Sequence, residues 1–307
     1  MTVLAVSLAG IDFQNPIVLA SGTAAYGREL ADIVDLDALG GLVTKAVSLA
    51  PRSGNKAPRV AEFPGGMINA IGLANPGVDV VRESKLPWLA SHLQRARVLV
   101  NVIGNAVEDF AEVIARLETS SVIVAYELNV SCPNVKAGGM EFGSDRAVLR
   151  ALIERARAAT RKALVIKLSP TLADVAGTAQ VCADAGADAI TLTNTLPGLV
   201  IDVATRKPRI GFGSGGVSGP PLLPVGVLAT WRVSRAVSLP IIGLGGVSRG
   251  DHALQYIMAG ATLVGVGTAG MVDPRAPERI VTELERWCSR HGVASLASVR
   301  GTLEWPT

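Results

Sequence analysis

Three side chains in this sequence carry a reactive group in a neighbourhood that does not explain them as packing. Cys132 lies in Leu128-Asn129-Val130-Ser131-Cys132-Pro133-Asn134, ahead of a polar stretch with Gly138-Gly139. Most cysteines are apolar fillers, and Cys182 within Ala179-Gln180-Val181-Cys182-Ala183 and Cys288 on a helix-like stretch suit that description. A cysteine beside Pro and two Asn residues has little apolar surface to pack against. Its thiol, with an ordinary pKa of about 8.5, is close enough to neutrality to serve as a proton-abstracting base. Lys45 and Lys167 each close a short apolar run, Gly41-Leu42-Val43-Thr44 and Leu164-Val165-Ile166. One lysine at a strand end is ordinarily a solvated charge. Two at equivalent places imply an anionic ligand, or a cofactor that becomes anionic.

The elements that must position these groups are short apolar runs bounded by Gly, Pro or Asn, at 16–20, 41–45, 98–102, 126–130, 164–168, 189–193, 240–243 and 263–266. Each run is expected to be followed by a helix, with the clearest helical periodicity at 107–117, 146–161, 172–185, 251–259 and 277–290. Such alternation is the pattern of repeated βαβ units. Eight units predict an α/β fold, a (β/α)8 TIM barrel over residues 1–307 as one domain, with long Gly- and Pro-rich loops at 46–86 and 194–219, after strands 2 and 6, covering a site. The ends of the runs read Ser21, Lys45, Asn101, Asn129, Lys167, Asn194, Gly245 and Gly267. Barrel enzymes gather their chemistry at these C-terminal ends, and buried polar groups without function would be left unpaired. Gly245-Gly246 and Gly267-Thr268 follow the last two runs, the usual phosphate position of a barrel. Two G-x-G-x-x-G matches, at Gly265, Gly267, Gly270 and at Gly211, Gly213, Gly216, open no first βα unit with an acidic residue downstream, which speaks against a dinucleotide site.

Composition agrees. Of 307 residues, 49% are hydrophobic and only 4% aromatic, as where parallel strands are buried on both faces. The net charge of +3 comes from scattered Lys and Arg, so no nucleic-acid stripe is expected. The three cysteines form no C-x-x-C pair for an iron–sulfur cluster or zinc, and His92, His252 and His291 form no ligand cluster, so no metal is expected on this chain. The apolar start has no basic segment and reaches Asp12 too soon for a span, so a soluble cytoplasmic protein is expected.

Over essentially the whole chain these residues resemble the class 1 dihydroorotate dehydrogenases, and within them type 1B. The landmarks are Lys45-Ala46, Asn69-Ala70-Ile71-Gly72-Leu73 with Asn75-Pro76-Gly77, Glu127 to Val135, Lys167-Leu168-Ser169-Pro170, Thr193-Asn194-Thr195, Gly216-Val217-Ser218-Gly219-Pro220, Gly245-Gly246 and Gly267-Thr268. Cysteine at the base position looks like class 1; the membrane-associated class 2 enzymes use serine and carry an N-terminal extension for which there is no room here. The resemblance implies FMN at the barrel mouth. Its phosphate would meet Gly219, Gly245, Gly246, Gly267 and Thr268, and Ser21, Lys45, Ala46, Asn101, Asn129, Lys167 and Thr193 would line the rest. Dihydroorotate would sit between Lys45, Asn69, Ala70, Ile71, Gly72, Leu73, Asn129, Asn194 and Thr195. Cys132 would take the C5 proton while hydride leaves C6, Lys167 would stabilise the reduced cofactor, and the loop 133–143 would act as a lid.

Type 1B further implies a partner subunit carrying FAD and a [2Fe–2S] cluster that passes electrons to NAD+, around a homodimer core of a heterotetramer. The alternative is a self-sufficient 1A-like enzyme using fumarate, which the stretch Asn134-Val135-Lys136-Ala137-Gly138-Gly139 disfavours by its likeness to 1B. Two features depart from the family: the Gly-rich approach Gly211-Phe212-Gly213-Ser214, and Thr193 where an aliphatic residue is more usual. Rival readings are a flavin reductase acting on uracil or tRNA uridine, a Schiff-base aldolase using Lys167 or Lys45 without flavin, and an inactive scaffold. The missing basic patch argues against tRNA, and the polar ring with Cys132 against a scaffold.

Overall fold

The computed structural model describes residues 2–131, 133–134 and 140–306; Cys132, on which the base assignment falls, and 135–139 of the proposed lid lie outside them. Eight parallel strands close a barrel: β1 (Ile17–Leu19), β2 (Gly41–Val43), β3 (Arg97–Val102), β4 (Ile123–Asn129), β5 (Ala163–Leu168), β6 (Ala189–Leu192), β7 (Ile241–Leu244) and β8 (Leu263–Val266). Neighbours in the chain are neighbours in the barrel, and β8 closes on β1 with Val264 opposite Ile17. This is the expected TIM barrel.

Closure makes the period-2 alternation of each strand decisive, because one face of every strand turns into the barrel. Ile17, Leu19, Leu42, Val98, Val100, Leu164, Ile166 and Ile190 belong to the large core between strands and helices. Val18, Val43, Leu99, Ala125, Val165, Ala189, Ile242 and Leu263 form a second, inner core. The inner core is plugged by Leu8 and Phe13 from an antiparallel hairpin, Val6–Leu8 with Ile11–Phe13, that precedes β1.

The helices are α1 (residues 78–92, where Val78–Val80, Val81–Lys85 and Leu86–His92 run on without a break), α2 (Val107–Leu117), α3 (Arg146–Ala158), α4 (Val175–Asp184), α5 (Leu223–Ser234), α6 (Gly250–Met258), α7 (Thr268–Val272) and α8 (Ala276–Arg290). The first unit departs from expectation: β1 is followed by turns and one short 3-10 segment, Leu36–Ala38. Gly22, Ala25 and Gly27, at φ of 86°, 46° and 91°, interrupt any helix there. α4 starts at Val175, not 172, because the Asp174 side chain accepts the Gly177 N–H at 2.9 Å and caps it. Among the described residues no helix is long and apolar enough to cross a membrane.

The two long connections are not irregular loops. Val60–Phe63 and Gly66–Asn69, from the first, join Leu196–Gly198 and Gly215–Ser218, from the second, in one four-stranded antiparallel sheet. The first connection then enters α1 at residue 78, inside the range read as loop. The Gly-rich approach has a packing reason. A Cβ on Gly211 would overlap Ala57 O at 2.7 Å and Lys56 O at 2.8 Å and Gly213 takes φ of 98°, while just beyond the stretch a Cβ on Gly215 or Gly216 would overlap Asn69 O or Thr195 Oγ1.

Phe13 is fully buried in the plug, so Phe13→Ala opens a cavity in the inner core. It is expected to cost about 3–5 kcal/mol of unfolding free energy, read as a lowered denaturant midpoint at unchanged slope.

Candidate functional site

Above the apolar plug the same inward alternation turns polar. Ala125, Glu127 and Asn129 follow one another up β4, Val165 and Lys167 up β5, Leu99 and Asn101 up β3, and Ala189 and Thr191 up β6. The register sets Asn101 opposite Glu127 and Lys167 opposite both Asn129 and Thr191. Glu127 is the centre of this layer. Its Oε1 accepts from Asn101 Nδ2 at 2.7 Å and lies 3.9 Å from Lys167 Nζ, while its Oε2 accepts from Thr191 Oγ1 at 2.8 Å. The Glu127 and Lys167 side chains are only 2% and 7% exposed, so the two charges face each other out of water. At this end of the barrel two buried side-chain oxygens have no hydrogen-bond partner, Asn101 Oδ1 and, just past β6, Thr193 Oγ1; among the described residues a third, Thr230 Oγ1, lies on α5.

A second cluster stands at the rim and includes Ser131, the residue before Cys132 in the sequence. Ser131 Oγ donates to Asn129 Oδ1 at 3.0 Å, and Asn194 Nδ2 donates to Ser131 Oγ at 2.5 Å and, more weakly, to Asn129 Oδ1 at 3.4 Å. Asn194 Oδ1 accepts the Thr195 N–H at 2.8 Å. The expected residues Asn129, Asn194 and Thr195 are therefore brought together, tied by Ser131. Among the other cysteines, burial pushes the Cys182 thiol up to about 12 and also raises Cys288, so neither is a base near neutrality.

Lys45 is half-buried two residues past inward-facing Val43, its N–H held by Ala25 O at 2.7 Å. Ser21 Oγ donates to Thr44 O at 2.9 Å, and Ala46 O accepts from Tyr26 Oη at 3.2 Å, so the ends of β1 and β2 are laced together. The segment Asn69-Ala70-Ile71-Gly72-Leu73 leaves the mouth sheet, where Asn69 pairs with Gly216. It turns through Gly72 and Leu73 at φ of 71° and 56°. Asn75 pins this turn beside the end of β2: Nδ2 donates to Leu73 O at 2.9 Å and Ser48 Oγ at 2.8 Å, and Oδ1 accepts from Gly77 N at 2.9 Å.

The glycines expected to hold a phosphate converge from three connections. Gly219, Gly245 and Gly246 take φ of 99°, 132° and 70°. A Cβ on Gly219 would touch Gly66 Cα at 3.2 Å and Thr268 Cγ2 at 3.8 Å, and Thr268 Oγ1 donates to Ser218 Oγ at 2.8 Å. Tyr256 Oη, buried under β7, holds Gly245 O at 2.8 Å. Gly267 has room: a Cβ there meets only Ala20 Cβ at 3.7 Å and Thr23 Cγ2 at 3.9 Å.

Sequence reading missed Glu127, Thr191 and Ser131 as organising groups, although Glu127 stands two residues before Asn129 on the same strand face, a signal alternation carries. Asn75 and Ser218 entered only inside longer motifs. A barrel with a buried charged layer, a rim of amides and a cluster of glycines at its mouth has the architecture of a barrel enzyme, whose sites form at this end. The dihydroorotate dehydrogenase family model matches residues 3–287, and the chain belongs to that family. It is 47% identical to the catalytic subunit of dihydroorotate dehydrogenase B (NAD(+)) from Pelobacter propionicus, over 98% of each chain. The subunits of the same name from Geobacter sp. strain M21 and Citrifermentans bemidjiense are 45% and 46% identical over the same share.

The glycines separate fold from grip. Gly246→Ala forces a side chain at φ of 70° and within 2.5 Å of Leu223 N, and is expected to lower stability by more than about 1 kcal/mol. Gly267→Ala, where the new Cβ meets no atom nearer than 3.7 Å, is expected to cost less than Gly246→Ala. Thermal and urea unfolding of the two variants reads the difference.

Proposed function

We propose that the chain, as one barrel unit over residues 1–307, oxidises dihydroorotate to orotate with FMN at the mouth, as the catalytic subunit of a type 1B enzyme. The observation that carries this is the polar column: a buried Lys167–Glu127 layer below, and the Asn129–Ser131–Asn194 rim above, Ser131 being the residue that precedes Cys132 in the sequence. The residues fit the cofactor. Asn101 Oδ1 is a buried acceptor needing an N–H donor, which the imide of a flavin ring offers, and the Gly219, Gly245–Gly246 and Gly267–Thr268 cradle suits its phosphate. FMN, when bound, supplies the two-electron hydride acceptor.

The chain's own residues do the rest. Cys132 accepts the C5 proton as the substrate's C6 hydride departs, leaving the C5–C6 double bond of orotate. Lys167 holds positive charge where negative charge develops on the cofactor. Lys45, Asn69 and the amides of Asn129 and Asn194 orient the substrate's carboxylate and ring amides, because a ligand lacking those groups would leave them unpaired. Ser131, hydrogen-bonded to both rim amides, holds Asn129 and Asn194 together. The relatives' names, NAD(+) and catalytic subunit, support an electron-transfer partner, for which FAD and [2Fe–2S] are the fitting carriers, in a heterotetramer around a homodimer, in the cytoplasm.

The test is the visible spectrum of the purified chain. Flavin bands that bleach on adding dihydroorotate are expected; a colourless protein that gains no activity with FMN overturns the reading. Cys132→Ala should keep FMN and slow its reduction by roughly two to four orders of magnitude, whereas Cys182→Ala should not; the reverse result moves the base elsewhere. The isolated chain is expected to reduce artificial dyes but not NAD+, which requires the partner. Efficient fumarate turnover by the chain alone would assign it to the 1A type instead.

A further inference from the structure

Glu127 has no part in the proton and hydride steps just assigned, yet it is a fully buried carboxylate at the centre of the barrel's upper layer. Both of its oxygens face donors: Asn101 Nδ2 and Lys167 Nζ on one, Thr191 Oγ1 on the other. A carboxylate surrounded by donors acts as an acceptor only. Two consequences follow from the geometry. Because Asn101 gives its amide N–H to Glu127, its carbonyl oxygen is the end left without a partner. Because Lys167 Nζ stands 3.9 Å from Glu127 Oε1 with both side chains buried, part of the ammonium's charge is balanced from below.

We infer that Glu127 is a positioning residue for the flavin: through Asn101 it presents a single acceptor to the cofactor, and through Lys167 it limits how strongly the reduced, anionic form is favoured over the oxidised one. This rests on the reading of the site as an FMN site, and it concerns the cofactor's redox balance, not the substrate. With Lys167 unbalanced, the reduced flavin would be favoured more strongly and would pass electrons onward less readily. Thr191, through its hydrogen bond to Oε2, keeps the carboxylate facing that layer.

The experiment is a redox titration of FMN-loaded protein with dithionite and reference dyes, so the result does not depend on which substrate the enzyme takes. Glu127→Gln keeps the shape and the acceptor for Asn101 but removes the charge. It is expected to raise the preference for reduced over oxidised FMN at least tenfold, which a two-electron couple reads as about 30 mV more positive. Glu127→Asp keeps the charge and is expected to stay within threefold of the parent. The inference is overturned if Glu127→Gln stays within threefold, or if Glu127→Asp moves as far as Glu127→Gln. Failure of both variants to fold would make Glu127 a folding residue and overturn it equally. Loss of dihydroorotate bleaching in the unaltered chain, with these shifts intact, would count against the substrate and not against Glu127.

Discussion

Closure of eight short parallel strands is the constraint on which everything else depends. Once β8 pairs with β1, every second side chain is committed to an interior that water cannot fill from the sides. The lower half of that interior is resolved by apolar packing against Leu8 and Phe13. The upper half holds Asn101, Glu127, Lys167 and Thr191, which gather around the Glu127 carboxylate and leave one acceptor, Asn101 Oδ1, without a partner. The change from apolar to polar along a single strand, as from Ala125 to Glu127 to Asn129, gives the barrel a base for stability and a mouth for chemistry.

The mouth is then walled by backbone. The sheet built from the connections after β2 and β6 brings Asn69 against Gly216 and carries the chain from Ser218 into Gly219. Glycine is required where strands meet without room for a Cβ, at Gly215 and Gly216, and where φ is positive, at Gly219 and Gly246. One bond, from Thr268 Oγ1 to Ser218 Oγ, ties this wall to the segment after β8. The rim groups Asn129, Ser131 and Asn194 are neutral; the buried charges of Glu127 and Lys167 lie one layer below. That separation suits recognition of a polar ring above and electrostatic control of a cofactor from beneath.

The sequence by itself determined the eight strands and the residues at their tips. Each strand is a buried parallel run, and such runs are legible because both faces must be apolar until the tip. Lys45, Lys167, Asn129 and Asn194 stood out because they break that rule. The glycine pairs after β7 and β8 were legible for the same reason, as punctuation at a known end of a barrel. Helix limits were set by capping, as at Asp174, and the missing helix after β1 by the positive-φ turn at Gly22 to Gly27.

Tertiary structure alone decided who partners whom. Nothing local in Glu127 says that its oxygens will be shared between Asn101, 26 residues away, and Thr191, 64 residues away. Those pairings follow from barrel register, a long-range property. The same holds for the mouth sheet: residues 60–69 and 196–218 read as Gly- and Pro-rich loops, because each strand is short and the two hairpins become one sheet only where Gly66–Asn69 pairs with Gly215–Ser218 of the other connection. The sequence named the tips because burial is recorded residue by residue, whereas the network beneath them depends on closure, which no single segment records.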